Sequence, residues 1–294
     1  MPSIDRSTLP FKVFNVAMYG AYGIFYFYSP LLLARRGIPG TIVGAILALR
    51  PVVGTIVTPM WTAVADAYHI HRCLHVFFLI VGSVSRLLYL LVPIKPASLL
   101  AAAALSECLT CAIVPLADSA TFDGLERLGR SREEYAAQRL WGAVGAGWIF
   151  VPLCGALLSA SPRDAAWTLV LGLHIGFLTL SALVPIWSVG GRNGGHSAAA
   201  PAPRCCGDGG ATRCDVLTAL RSSDLRFSWA ATFRCLIFLC CGAFHAVTEG
   251  YIFLYLDALG GTELLDGLAI TFTCLSEVRH AVEKRGRSRG LRQE

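Results

Sequence analysis

The chain has 294 residues, of which 55% are hydrophobic and only 15% are charged, and its formal net charge is +6. Soluble domains carry about 25% charged residues, so a chain of this composition cannot bury its apolar surface in one aqueous core. These values exclude an ordinary soluble domain and predict an all-α integral membrane protein that lies in a lipid bilayer.

Seven apolar segments are long enough to cross a membrane as helices, because a hydrocarbon core of ~30 Å requires about 20 residues. They cover residues 13–34, 41–65, 74–93, 97–117, 140–160, 165–189 and 227–256. An eighth apolar run, 264–275, is too short to cross. The first segment lacks the small-residue cleavage site of a signal peptide, so we interpret it as a retained span.

Arginine and lysine residues concentrate in the loops on one side of these spans, the side that also carries the N-terminus. The opposite loops contain only Arg35, Arg36, Lys95 and Arg163. Because basic loops stay in the cytoplasm, the N-terminus is predicted to be cytoplasmic. This bias explains the positive charge without a nucleic-acid partner. The sequence shows no phosphate-binding loop, nucleophile motif or metal-ligand set, so we expect neither an enzyme nor a cofactor or metal.

The order of the segments predicts two helical bundles, the second of them incomplete. When the sequence is shifted by 223 positions, Tyr28 aligns with Tyr251 and Gly37 aligns with Gly260, and other residues near the outer ends of the spans align with identical residues. This pattern is typical of transporters built from repeats. The predicted regions are a six-helix bundle over 1–189, a disordered cytoplasmic linker over 190–226, the start of a second bundle over 227–277 and a basic non-membrane tail over 278–294.

The end of the chain does not complete the second copy of the predicted repeat. Charged residues replace the apolar pattern from Glu277 onward, and the twelve apolar residues before them reach only ~18 Å. We therefore expect the sequence after Glu277 to be an alternative end, a frameshift or a retained intron, and we expect this product to transport little.

Charged side chains inside the spans indicate the functional site, because each costs ~2.5–3.5 kcal/mol to insert and therefore faces a cavity or a partner. Glu107 and Asp118 are eleven residues apart and are expected on nearly one face of the fourth span. Asp118 closes that span on the side where Arg139 opens the fifth, which predicts an ion pair. The pair either lines a solute cavity or only fixes the intervening loop, and the residues leave both interpretations open.

The seventh span contains a second candidate pair. His245 and Glu249 are one helical turn apart, and a histidine beside a carboxylate suits proton relay near neutral pH. A packed polar pair without that role is the alternative.

Two stretches resemble a known family. "PLADSATF" (115–122) followed by "RLWGAVGAG" (139–147) resembles the proton-coupled sugar symporter branch of the major facilitator superfamily, typified by the lactose permease and related to aromatic-acid and nucleoside permeases. "TPMWTAVAD" (58–66) is similar to the end of the second helix in that family. Ala146 occupies the position of the family's sugar-stacking aromatic residue, and Trp148 is the nearest aromatic residue.

The resemblance implies a major-facilitator N-terminal six-helix bundle with a partial second bundle. It also implies secondary active symport of a small polar solute, such as a sugar, nucleoside or organic acid, with protons. The expected solute-binding residues are Asp118, Arg139, Glu107 and Trp148. The expected proton-coupling or gating residues are Asp66, Arg72, His245 and Glu249. A seven-span receptor or interaction partner remains the alternative, although a cytoplasmic N-terminus disfavours a receptor.

Overall fold

The structure, a computed structural model, describes residues 5–162, 165–189 and 229–290, with side chains described for only part of the last range. Within these ranges every regular element is helical, which confirms the all-α fold. The helices are α1 (Leu9–Arg35), α2 (Gly40–Tyr68), α3 (His71–Phe77), α4 (Ser83–Ser85), α5 (Leu88–Leu91), α6 (Pro96–Cys108), α7 (Ile113–Arg127), α8 (Tyr135–Ala143), α9 (Val151–Ala160), α10 (Ala166–Ser181), α11 (Trp229–Ala258) and α12 (Glu263–Gly290).

Six helical stretches in the described residues are long and apolar enough to cross a membrane, in agreement with the first six predicted spans. They are Arg6–Arg35, Gly40–Tyr68, His71–Leu91, Pro96–Arg127, Arg132–Ala160 and Ala166–Ser188. π-Helical turns interrupt the third and fifth of them, at Phe78–Gly82 and Val144–Phe150. The predicted seventh span coincides with α11, and the short eighth run lies in α12, which remains helical to Gly290.

The chain divides into two compact units, one formed by residues 1–192 and 250–294 and the other by residues 193–249. The first unit contains two hydrophobic clusters. The buried residues of α1 up to Ala21 belong to one cluster, and those from Ile24 onward belong to the other. One cluster surrounds the first half of α1, and the other surrounds its second half. Because α1 contributes to both, it is the central helix of this unit.

The α1–α2 turn and the α11–α12 turn have the same backbone geometry. Gly37 and Gly260 have φ values of 78° and 80°, a left-handed conformation that glycine adopts without steric cost. In both turns the amides of this glycine and its two neighbours bond to carbonyls at corresponding positions, displaced by 223 residues. The turn that follows α7 at Gly129 has the same bond pattern, so the internal repeat stays a prediction.

The α12 helix packs along the fifth span. The Thr271 hydroxyl donates to the Gly147 carbonyl over 2.7 Å. The Tyr28 hydroxyl lies 3.1 Å from the Val151 carbonyl oxygen and 3.2 Å from that of Glu263, so α1 also contacts this junction. These bonds satisfy polar groups that have no water to pair with inside a membrane.

The contact between α1 and the fifth span depends on the absence of a side chain at Gly145. A Cβ at this position would collide with the backbone of Val16, whereas a Cβ at Gly172 on α10 would meet no atom within 4 Å. Helices in lipid associate through close packing of this kind, because water does not drive them together.

We expect Gly145→Ala to destabilise the protein by about 1–3 kcal/mol, the usual cost of overpacking. Gly172→Ala is the matched control and is expected to be neutral or slightly stabilising, since alanine favours a helix. Thermal unfolding of both variants in detergent, followed by tryptophan fluorescence, measures the difference. Equal Tm values for the two variants would show that this contact is not tight.

Candidate functional site

An ion pair joins the fourth and fifth spans. The Nη1 atom of Arg139 on α8 lies 3.2 Å from a carboxylate oxygen of Asp118 on α7. The two side chains retain 44% and 30% of their solvent exposure, respectively. The predicted ion pair is therefore confirmed, while its role in solute binding stays a prediction.

Aromatic residues hold Arg139 in place. Its Nη1 also donates to the Tyr135 hydroxyl over 3.0 Å, one helical turn earlier on α8. The guanidinium carbon lies 5.0 Å from the centre of the Tyr19 ring on α1, within the range of a cation–π contact. The Tyr135 ring stacks on Phe122 of α7 at 4.4 Å, which ties the arginine to the helix that carries Asp118.

Outside the spans, before the start of α8, Asp5 forms polar contacts with Ser7 and Arg130. Asp5 accepts hydrogen bonds from the Ser7 amide and hydroxyl, at 3.0 and 2.9 Å, and it pairs with Arg130. These contacts, those of Ser7 first, hold the pKa of Asp5 below its ordinary value. The stabilisation is present at neutral pH and is lost as the pH falls through that lowered pKa. Arg130 also bonds to Glu134 over 3.1 Å, at the start of the fifth span.

A second intramembrane ion pair lies deeper in the bundle. The Nη2 atom of Arg86 lies 3.0 Å from a carboxylate oxygen of Glu107, and these side chains are only 4% and 17% exposed. Arg86 also donates to the hydroxyls of Ser106 and Thr110, over 3.0 and 2.7 Å. A buried cation with these partners is well neutralised.

Glu107 does not share a continuous helical face with Asp118, contrary to the expectation from the sequence. The fourth span breaks between α6, which ends at Cys108, and α7, which begins at Ile113. The intervening turn changes the helical phase, so an eleven-residue spacing no longer places two side chains on one face. The described partner of Glu107 is Arg86.

A third arginine, Arg50 on α2, has a different environment. It is only 6% exposed, and its Nη2 donates to the Ser29 hydroxyl over 3.0 Å. Its guanidinium carbon lies 5.3 Å from the Phe25 ring and 5.9 Å from the Tyr26 ring. Among the described residues no carboxylate lies within 4.0 Å of it.

Residues 9–282 match the profile of the MFS_1 like family. This chain belongs to the MFS_1 like family, within the major facilitator superfamily. Neither a curated protein nor a solved structure gives a significant match. As a member of this family, the protein is a multi-pass membrane transporter, and such transporters are not usually enzymes.

In this MFS_1 like protein the α2–α3 junction contains two of the predicted gating residues. A carboxylate oxygen of Asp66 lies 2.8 Å from Nε2 of His71, a partner that the sequence analysis did not identify. Arg72 is exposed. The turn between them includes His69, which has a φ of 54°. The gating role of Asp66 and Arg72 stays a prediction.

The remaining predicted residues lie apart from the pair. Trp148 is 42% exposed and nine residues beyond Arg139, about 13 Å further along the span. The side chains of His245 and Glu249 lie outside the described residues. Their predicted roles are not tested by this geometry.

At the opposite end of α1 the first unit has another charged contact. Arg35 lies 2.5 Å from Asp257 and 2.6 Å from Glu263, so it joins the end of α1 to the α11–α12 turn. A pocket of about 700 Å³ lies beside it, lined in part by Arg36 and Trp167. This contact was not predicted from the sequence, because no spacing rule connects residues so far apart in the chain.

We expect Glu107→Gln to destabilise the protein by about 3–5 kcal/mol, because it leaves the buried Arg86 cation without its counter-ion. The double variant Arg86→Met/Glu107→Gln removes both charges and is expected to recover much of that loss. Thermal unfolding in detergent measures the stability of each of these variants and of the wild type. Glu126→Gln, in an exposed pair with Arg132 at 3.7 Å, is the control and should cost at most ~1 kcal/mol. Equal losses for Glu107→Gln and Glu126→Gln would contradict the buried-pair account.

Proposed function

We propose that this protein is a secondary active transporter that moves a small polar solute, such as a sugar, nucleoside or organic acid, together with protons. The Asp118–Arg139 pair binds the solute. The observation that carries the proposal is the environment of Arg139, which is partly exposed and lies between Tyr19 and Tyr135.

The geometry of the pair suits a solute with several hydroxyl or carboxylate oxygens. The described hydrogen bonds of Arg139 all come from Nη1. The other donors of the planar guanidinium fork are then available to a ligand. Asp118 offers acceptor oxygens beside them. The guanidinium of Arg139 donates hydrogen bonds and the carboxylate of Asp118 accepts them, so one polar molecule with both acceptor and donor groups can bind to the two residues together.

The charged contacts at the two ends of α1 support alternating access. The contact of Arg35 with Asp257 and Glu263 joins the first bundle to the α11–α12 turn at one end. Arg139 and Asp118 remain partly exposed nearer the other end. Alternating access requires a state that is closed on one face and open on the other. We propose that the open face is the cytoplasmic one, as the distribution of basic residues favours.

For proton coupling we keep His245 and Glu249 as the proposed relay. Their support is their separation of one helical turn on a span that belongs to the second bundle. Alternating access places coupling residues near the interface of the two repeats.

Solute binding by the purified chain tests the role of the pair. We expect Arg139→Lys to lower affinity by at least about tenfold for whichever member of a labelled panel of sugars, nucleosides and organic acids binds the wild type, because lysine lacks the planar fork. Scintillation proximity in detergent measures the affinity, and proton uptake on binding is measured with a pH-sensitive dye in weak buffer.

A charge exchange separates solute binding from a purely structural role. The variant Asp118→Arg/Arg139→Asp keeps one positive and one negative group in contact, so we expect its Tm to remain closer to wild type than that of Asp118→Asn. Solute binding should nevertheless be lost, because the donors and acceptors have exchanged places. Unchanged affinity in Arg139→Lys, or full recovery of binding in the exchanged variant, would leave the pair with a structural role only.

A further inference from the structure

Four polar side chains pack around the ring of Phe25 in the interior of the first unit. The guanidinium carbons of Arg50 and Arg86 lie 5.3 and 4.8 Å from its centre. The rings of Tyr89 and His174 lie 5.5 and 5.2 Å from it. We refer to Phe25, Arg50, Arg86, Tyr89 and His174 as the Phe25 cluster.

Each of the four polar residues has a buried atom without a hydrogen-bond partner. These atoms are Nε of Arg50, Nε of Arg86, the hydroxyl of Tyr89 and Nε2 of His174. They are four of the nine such atoms in the described part of the chain. Buried polar groups are almost always bonded to protein, water or a ligand. A polar molecule bound beside this ring would supply the partners that these four atoms lack.

Among the described residues, the cluster also carries more positive than negative charge. Arginine keeps its proton in any protein environment. Glu107 neutralises Arg86 over 3.0 Å. Arg50 has the Ser29 hydroxyl and aromatic rings around it, and no carboxylate of the described residues lies within 4.0 Å. One positive charge in the interior is thus without a counter-ion among the described residues.

We propose that the Phe25 cluster binds a small oxyanion, a carboxylate or a phosphate group, at a subsite separate from the Asp118–Arg139 pair. Three of the unpartnered groups, the two arginine Nε–H groups and the Tyr89 hydroxyl, are donors that an oxyanion can accept from.

His174 adds an acceptor to these donors. Its Nδ1 is 2.7 Å from the Ala21 carbonyl, so Nδ1 carries the hydrogen and donates it. The other ring nitrogen, Nε2, then has a free lone pair. It accepts a hydrogen bond from a hydroxyl or a protonated oxygen of the ligand.

A route to the cluster starts at the pocket of about 700 Å³. Arg35, Arg36 and Asp257 line this pocket, and Arg36 has no carboxylate of the described residues within 4.0 Å. Trp167 forms another part of the lining, and its ring stacks on that of Tyr89 at 6.4 Å. Tyr89 therefore contacts both Trp167, which lines the pocket, and Phe25.

The cluster is separate from the Asp118–Arg139 pair. Tyr19, which contacts Arg139, and Phe25 are six residues apart on α1, a distance of about 9 Å along the helix. The two groups of residues are distinct subsites on one helix, so their variants can be tested independently.

Thermal unfolding of the purified full chain in detergent tests the proposal, with benzoate, phenyl phosphate and neutral benzamide as probes. We expect a saturable rise in Tm with at least one of the two oxyanions and none with benzamide. A response to benzoate alone identifies a carboxylate site, and a response to phenyl phosphate alone identifies a phosphate site. Arg50→Gln should raise the half-saturating concentration at least about tenfold.

Two further variants complete the test. Arg6→Gln removes an exposed arginine and should leave the anion response unchanged. Ser29→Ala keeps the charge of Arg50 and removes its hydrogen-bond acceptor, and we expect the affinity for the oxyanion to fall about two- to tenfold. This variant replaces Arg50→Gln in the test if Arg50→Gln does not fold. The proposal is overturned if neither oxyanion gives a saturable response, if benzamide acts as benzoate does, or if the folded Arg50 and Ser29 variants respond as the wild type does.

The same assay separates this proposal from the proposed function. Arg139→Lys should keep the response to the anion that stabilises the wild type, because Arg139 lies outside the cluster. An anion response without binding of any solute in the panel would support the Phe25 cluster and contradict the proposed function. Solute binding that depends on Arg139, without an anion response, would support the proposed function and overturn this inference.

Discussion

An arginine in a membrane interior keeps its charge, so the surrounding protein must supply a partner. Four arginines of this chain meet that requirement along α1. Arg35 belongs to the helix itself, Arg50 and Arg86 contact its Phe25 ring, and Arg139 contacts its Tyr19 ring. The aromatic residues of α1 therefore organise the charged groups of the first unit, and the close packing at Gly145 keeps the fifth span within reach of them.

The four arginines differ in how fully they are neutralised. Arg86 is buried, and a carboxylate and two hydroxyls surround its Nη atoms, while its Nε has no described partner. Arg35 has two carboxylates, and this contact can open only if the end of α1 separates from the α11–α12 turn. Arg139 shares one carboxylate and stays partly exposed. Arg50 has no carboxylate within 4.0 Å among the described residues, which makes it the most informative of the four.

Part of this arrangement could be predicted from the sequence. The spans follow from length and hydropathy, and the turns at residues 37 and 260 follow from their glycines, because a left-handed turn selects glycine. The Asp118–Arg139 pair was predictable because both residues lie near the same ends of consecutive antiparallel spans. Its aromatic partner Tyr135 was also within reach of prediction, since it lies four residues before Arg139.

Other features depend on tertiary structure. Glu107 pairs with Arg86, to which no spacing rule relates it. The helix break before Ile113 does have a sequence signal, because Pro115 has no amide hydrogen to donate to the Cys111 carbonyl. The convergence of α1, α2, α10 and the third span on Phe25 depends on how the helices pack, which spacing rules do not describe. The lack of a described counter-ion for Arg50 could be recognised only once its neighbours were known.

The most direct test of this account is the thermal stability of Arg50→Met in detergent, measured with and without the oxyanion that stabilises the wild type. Methionine fills a similar volume without a charge. If Arg50 is retained for binding at the expense of folding, the variant should have a higher Tm than the wild type and no response to the anion. A lower Tm with an intact anion response would contradict the account, because Arg50 would then be a structural residue that is already well neutralised.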